Sequence, residues 1–153
     1  MKENYQGPFA FSEAESIAIR DAVYQIQAKQ TLASFLSVHA YSQFWMTPRG
    51  HIKQRPSDYT DLKRVSQKAV QALSAVHGTQ FQYGPIYEII YQATGSSVDW
   101  AYDVAHVKYS FALELRDTGK YGFMLPASQI RPTCEETYAG LVAMVDEIYP
   151  EFP

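Results

Sequence analysis

Hydrophobic and polar residues change their period several times along this chain, and those changes mark out its elements. Ala14, Ile17, Ala18, Ala22 and Ile26 recur at helical spacing, while Glu15, Asp21, Gln25 and Lys29 fall on the opposite side, which predicts an amphipathic helix. Ser12, three positions ahead of Glu15, predicts a capping box at its start. Leu32 to Val38 reads LASFLSV, too short and aperiodic for a second helix, and predicts a buried strand ending at the polar His39-Ala40-Tyr41-Ser42-Gln43. The stretch from Met46 to Tyr59, with two prolines and a glycine, predicts an exposed loop whose Arg49, His51, Lys53 and Arg55 form a solvated face. A helix from about Ser57 to His77 follows, with Leu62, Val65, Ala69, Leu73 and Val76 on one stripe and Gly78 as its stop. Phe81 to Tyr83 predicts a short strand, and Ile86 to Tyr91 is apolar but fits either period. Thr94 to Ser97 reads as a turn, with Ser97 capping a short helix through Asp103.

The clearest strand is Val107 to Leu115. Bulky Val107, Tyr109, Phe111, Leu113 and Leu115 alternate with Lys108, Ser110, Ala112 and Glu114, so Glu114 shares a face with small residues. Thr133 and Glu136 predict a capping box for a last helix, with Tyr138, Leu141, Val142, Val145 and Ile148 on its apolar side. Helices and strands alternate without an internal repeat or a domain boundary, which gives a single α/β domain.

Composition narrows the function by exclusion. At 153 residues and 46% hydrophobic content the chain can bury a core without disulfides. Thirteen basic against sixteen acidic side chains leave a net charge of -3, which argues against nucleic acid or an anionic membrane as partner. No apolar run reaches the roughly 18 residues of a membrane span, and no apolar signal core follows Met1. Cys134 is the sole cysteine, so neither an internal disulfide nor a cysteine-based zinc module can form, and it reads as a packed, inert thiol.

Local spacing alone leaves the chemistry open. None of His39, His51, His77 and His106 belongs to an HxxE or HExxH motif, and spacing favours a hydrogen-bonded structural role for His39 over metal ligation. Glu114 ends an apolar strand beside Arg116 and Asp117, at the edge where α/β folds gather ligands. It reads either as a functional carboxylate or as a neighbour of an Arg116–Asp117 ion pair.

Three longer stretches share one resemblance: SFLSVHAYSQ (Ser34 to Gln43), EIIYQATGSSVDWAYD (Glu88 to Asp103) and KYSFALELRDTGKYGFMLPASQIRPTCEET (Lys108 to Thr137). In order and spacing they resemble the zinc metallocarboxypeptidases of the carboxypeptidase A/B family, and YQGPFAFSEAES (Tyr5 to Ser16) extends the likeness. The resemblance implies a partial three-layer α/β/α fold, a mixed sheet flanked by helices, with residues 1–153 as the C-terminal half of a catalytic domain. It implies that His39 is one of three protein ligands of a zinc ion, and that Glu114 is the catalytic carboxylate, base and then acid toward a zinc-bound water. Tyr91 matches a mobile tyrosine that closes over the substrate's terminal carboxylate, and Ala40 and Tyr41 match substrate subsites. Val98 matches the floor of the pocket for the last side chain, with Ile90, Ala93 and Ala112 nearby; an apolar floor implies apolar or aromatic C-terminal residues.

Departures accompany the likeness. Ala40 replaces a usual serine, Gly95-Ser96 a common Gly-Gly, the loop between Tyr102 and Lys108 is one residue longer, and a family cysteine would fall at about Met1. The family's HxxE pair and its carboxylate-binding arginines and asparagine belong upstream of this sequence, so the expected partner is the N-terminal half of the same domain. The implied setting is extracellular, and the implied substrates are peptide or protein C-termini. Alone, the chain is expected to be inactive, marginally stable and prone to associate; a noncatalytic binder of peptide C-termini is the rival reading.

Overall fold

The computed structural model describes residues 7–152. Tyr5 and Gln6 of the YQGPFAF stretch, and Met1, lie outside the described residues. The chain divides into two compact units, residues 1–32 and 33–153.

The first unit carries helix α1, Ala14–Gln27. Its N-cap is Glu13, without a side-chain cap bond; the Ser12 hydroxyl donates to the Glu13 carboxylate at 2.8 Å instead of completing a box with Glu15. Val23 is the buried helix residue, while Ile19, Tyr24 and Ile26 are exposed. The buried side is thus not the predicted stripe, which holds three alanines and offers little area to drive burial.

The second unit is a mixed four-stranded sheet between helices. Its elements are β1 (Ser34–Ala40), β2 (Phe44–Thr47), α2 (Tyr59–His77), β3 (Gln82–Pro85), α3 (Ile86–Ile89), α4 (Ser97–Asp103), β4 (Tyr109–Leu115) and α5 (Ile130–Ile148). Strand order is β1-β4-β2-β3; β1 runs parallel to β4, β4 antiparallel to β2, and β2 parallel to β3. The period of two in β4 sorts its side chains between two cores. Tyr109, Phe111 and Leu113 join Trp45 and the α2 and α5 residues Leu62, Val65, Ala69, Leu73, Met144 and Ile148. On the other face Ala112 packs with Met46, Ile86 and Val98. This is the expected three-layer α/β/α arrangement.

Several local expectations are corrected. β1 lies at a sheet edge, with Val38 53% exposed, so it is not a buried strand. Met46 and Thr47 belong to β2 rather than to a loop: hydrogen bonding from strands on both sides overrides the turn signal of Pro48 and Gly50. The solvated basic face holds for Lys53 and Arg55, both exposed, Arg55 in a surface pair with Glu88, whereas Arg49 and His51 turn to pair with Asp103 and Asp99. Ser96, not Ser97, caps α4, accepting from Val98 N at 3.3 Å.

Helix α5 begins at Ile130, so Thr133 and Glu136 sit inside it and form no capping box. The buried side runs Thr133, Glu136, Gly140, Met144 and Ile148, leaving Tyr138, Val142 and Val145 exposed. Gly140 explains the choice: a Cβ there would stand 3.1 Å from the Ala69 carbonyl oxygen, so α5 presses its glycine side onto α2. Cys134 falls on the outer side and is exposed, not packed. Gly78 ends α2 in the left-handed conformation, φ 77°, and its N–H bonds Ser74 O at 2.8 Å, as the sequence predicts.

An ion network joins the start of β4 to the chain's last turn. Lys108 bridges Asp61 and Glu151, Arg64 bridges Glu147 and Glu151, and the Tyr109 hydroxyl donates to Glu151 at 2.5 Å. The Tyr109 and Lys108 hydrogen bonds hold the Glu151 carboxyl below its ordinary pKa, and Lys108 does the same for Asp61. As pH falls, the unfolded chain takes up these protons first, so the stabilisation is full above the ordinary carboxylate range and disappears through the lower, folded values. Both carboxylates are partly solvated, which limits each contribution to about 1 kcal/mol or less. Glu151→Gln is therefore expected to flatten the acid limb of a Tm-versus-pH curve while lowering Tm slightly at neutral pH; an unchanged acid limb would show the network to be inert.

Candidate active site

The site face follows from strand register. In the parallel β1–β4 pair, His39 stands opposite Glu114 and Ala40 opposite Leu115, at the C-terminal ends of both strands. β2 extends the row, because Phe44 is the antiparallel partner of Glu114 and Met46 that of Ala112. His39, Glu114 and Phe44 thus lie side by side across three strands, although 75 residues separate the two polar members in sequence.

Glu114 is half buried, and its Oε2 atom is buried without a hydrogen-bond partner. Burial pushes its carboxyl pKa upward, against the pull of the nearby His39. His39 is exposed, and its Nε2 lies 2.7 Å from Ser37 Oγ, two residues back on the same strand face. Arg116, two positions past Glu114, makes no pair with Asp117. Its guanidinium binds Glu136 on α5, Gln129 and Thr79, while Asp117 accepts from the backbone N–H groups of Gly119, Tyr121 and Gly122.

The other predicted positions fall in three groups. Val98, at the start of α4, is buried against Met46, Ile86 and Ala112, with Phe35, Phe44 and Ile89 packed around them. This brings Val98 and Ala112 together on the face that carries His39 and Glu114. Ala40 is exposed at the end of β1, and the next side chain, Tyr41, meets Phe123 edge-on at 5.0 Å between ring centroids. Beyond α3, Ile90 and Tyr91 are exposed, Tyr91 by 69%, and Ala93 is half buried with its N–H on Gly50 O at 3.0 Å.

Sequence reasoning misses Phe44, Met46 and Ile86, which complete the apolar cluster. The available signal is the run Phe44-Trp45-Met46-Thr47, whose alternate residues enter opposite cores. It also misses the buried carboxylate of Asp99, which accepts from Gly50 and His51.

A catalytic zinc ion takes three protein ligands and leaves one position open. Among the described residues no group of three His, Cys, Asp or Glu side chains is arranged to hold a metal ion. The described residues of this chain therefore do not fit a zinc ion by themselves. Among the described residues, no helix is long and apolar enough to cross a membrane.

Comparison with known proteins agrees with the fold and the residue pattern. Carboxypeptidase A2 of Mus musculus is 46% identical over 146 residues, covering 95% of this chain and 34% of its own. Carboxypeptidase A1 of Bos taurus is 46% identical over 144 residues, covering 94% and 33%. The structure of bovine thrombin-activatable fibrinolysis inhibitor in complex with tick carboxypeptidase inhibitor superposes with a TM-score of 0.90 at 36% identity, covering 95% of this chain and 48% of that one. The chain thus spans about a third of the length of these two curated relatives. The family model for zinc carboxypeptidases matches residues 1–140, and the chain belongs to that family.

Proposed function

We propose that residues 1–153 supply the C-terminal half of a secreted zinc carboxypeptidase domain that removes apolar or aromatic residues from peptide and protein C-termini. Glu114 is the general base and acid of that reaction, and His39 is one of three protein ligands to the metal. The observation that carries the reading is the His39–Glu114 register pair at the strand ends, with one carboxylate oxygen buried and unpartnered. Burial raises the pKa of this carboxyl, which favours its taking up a proton and returning it.

The substrate assignments rest on position and on the family resemblance. Val98 and Ala112 share an apolar cluster with Met46 and Ile86, which suits an apolar or aromatic terminal side chain better than Lys or Arg. By that resemblance Tyr91, which is exposed, is assigned to cover the terminal carboxylate, exposed Ile90 and half-buried Ala93 to the pocket for the last side chain, and Ala40 and Tyr41 to the subsites of the preceding residues. The remaining metal ligands and the carboxylate clamp belong to the complementary half of the domain.

The test compares two proteins. The purified 153-residue chain with zinc is expected to release no amino acid from a peptide ending in Phe. The domain completed by the segment bearing an HxxE pair is expected to release Phe, and to do so faster than Arg. Hydrolysis by the 153-residue chain alone, stopped by a chelator and by Glu114→Gln, would overturn the division of the site between halves; a completed domain that prefers Arg would overturn the apolar pocket.

A further inference from the structure

The segment of residues 49–51 stands between two parts of the proposed pocket, and its backbone is used on both sides. On one side lies Asp99 of α4, next in sequence to Val98. Asp99 is 6% exposed, and a carboxylate so buried needs its charge met by donors. Gly50 N–H reaches both of its oxygens at 3.0 and 2.9 Å, and His51 N–H reaches Oδ2 at 2.9 Å. The His51 ring adds Nδ1, 2.8 Å from the same oxygen. On the other side the carbonyls of the segment face the chain that carries Tyr91. Gly50 O accepts from Ala93 N at 3.0 Å, and His51 O accepts from the Gln92 side chain at 2.8 Å.

Glycine is required at the centre of this arrangement. A Cβ on Gly50 would lie 2.8 Å from Ile86 Cγ2 and 3.1 Å from Ala93 O. The backbone can therefore approach both partners only at that residue type, and the carbonyls of residues 50 and 51 are bonded directly to Ala93 and Gln92. The His51 ring is one side-chain donor on Asp99, and with 37% of the side chain exposed it can be exchanged without opening a core cavity.

We propose that His51 and Asp99 are positioning residues for the Tyr91 segment. The Nδ1–H bond to Asp99 fixes residues 50–51, whose carbonyls hold Gln92 and Ala93, and so registers Tyr91 against the α4 helix that begins with Ser97 and Val98. The inference rests on the proposed function only in taking Tyr91 as the residue that covers a substrate's C-terminus; the clasp itself is a property of the metal-free chain.

Amide hydrogen exchange on the 153-residue chain tests it. His51→Leu is expected to speed exchange within residues 90–96 by about tenfold, the scale set by losing one hydrogen bond to a charged group, while amides of α2 and β4 exchange as before. His51→Asn, which restores a side-chain N–H near Nδ1, is expected to return the rate to within about twofold. Gln92→Ala leaves Asp99 paired and is expected to speed the same segment, which keeps the inference testable if His51→Leu fails to fold. Unchanged exchange in residues 90–96, acceleration spread over α2 and β4, or no rescue by His51→Asn would each overturn the clasp. In the completed domain His51→Leu is expected to raise KM more than it lowers kcat. If that domain cleaves no peptide, the proposed function fails, and the exchange result still decides the clasp.

Discussion

Glu136→Ala is expected to destabilise the folded chain by about 3–5 kcal/mol, measured by urea denaturation of the 153-residue protein. Glu136 is fully buried on α5. Its Oε1 accepts from Arg116 Nε at 2.7 Å, and its Oε2 accepts from Thr79 at 2.6 Å and from Arg116 Nη2. Removing the carboxylate leaves the Arg116 guanidinium, itself only 14% exposed, with Gln129 and Thr79 as neutral partners. An uncompensated buried charge is among the costliest single defects, and a domain of this size has only about 5–15 kcal/mol in total. The double variant Arg116→Met with Glu136→Leu is expected to recover most of the loss, because the penalty comes from orphaning one charge rather than from lacking the pair. A loss below about 1 kcal/mol for Glu136→Ala would show that water reaches the guanidinium. The site is affected too, since Arg116 follows Glu114 by two residues and this pair fixes the end of the strand that presents it.

The same residue shows where pattern reading stops. Helix α5 offers two stripes at helical spacing; of the more hydrophobic one Leu141 and Ile148 pack on the core, while Tyr138, Val142 and Val145 face out. Side-chain hydrophobicity favours that stripe, but Glu136 meets Arg116, the residue just past β4, and Gly140 lets α2 come close, and neither partner is visible from within the helix. By contrast, α2 and β4 are legible because their periods and their tertiary surroundings agree: Leu62, Val65, Ala69 and Leu73 form the stripe, with only Val76, in the last turn, exposed, and both faces of β4 are covered. The strand β2 is hidden by its length of four residues and by Pro48 directly behind it.

For the site, sequence distance sets the limit. His39 and Glu114 are neighbours only through β1–β4 pairing, so no local spacing rule could join them; the resemblance of the surrounding stretches does so. His51 looks like part of a solvated basic loop because its partners, Asp99 and Gln92, lie 48 and 41 residues away. Val98 and Ala112 are joined by the resemblance, but Phe44 and Met46, which close the same cluster, belong to the strand that composition conceals.

Glu114→Gln is expected to lower kcat of the completed domain by a factor of about 10²–10⁴, the usual contribution of a general acid–base group, with little change in KM. In the metal-free 153-residue chain the same substitution is expected to raise stability at neutral pH. Both effects come from one feature, a carboxylate oxygen buried without a partner. Burial raises the folded-state pKa of Glu114 above its unfolded value, so as pH rises the unfolded chain releases this proton first. The group therefore stabilises the fold fully below the unfolded pKa, and that contribution is lost as pH climbs through the folded one. A neutral amide carries no such penalty, so wild type and Glu114→Gln should approach each other in Tm at acid pH and diverge above the carboxylate range, with the variant higher. Such a trade of stability for reactivity is what an acid–base site in a folded domain entails. A variant that melts lower than wild type at neutral pH would mean that Glu114 is held by partners and acts as a structural carboxylate; full activity in the completed domain would remove it from the reaction.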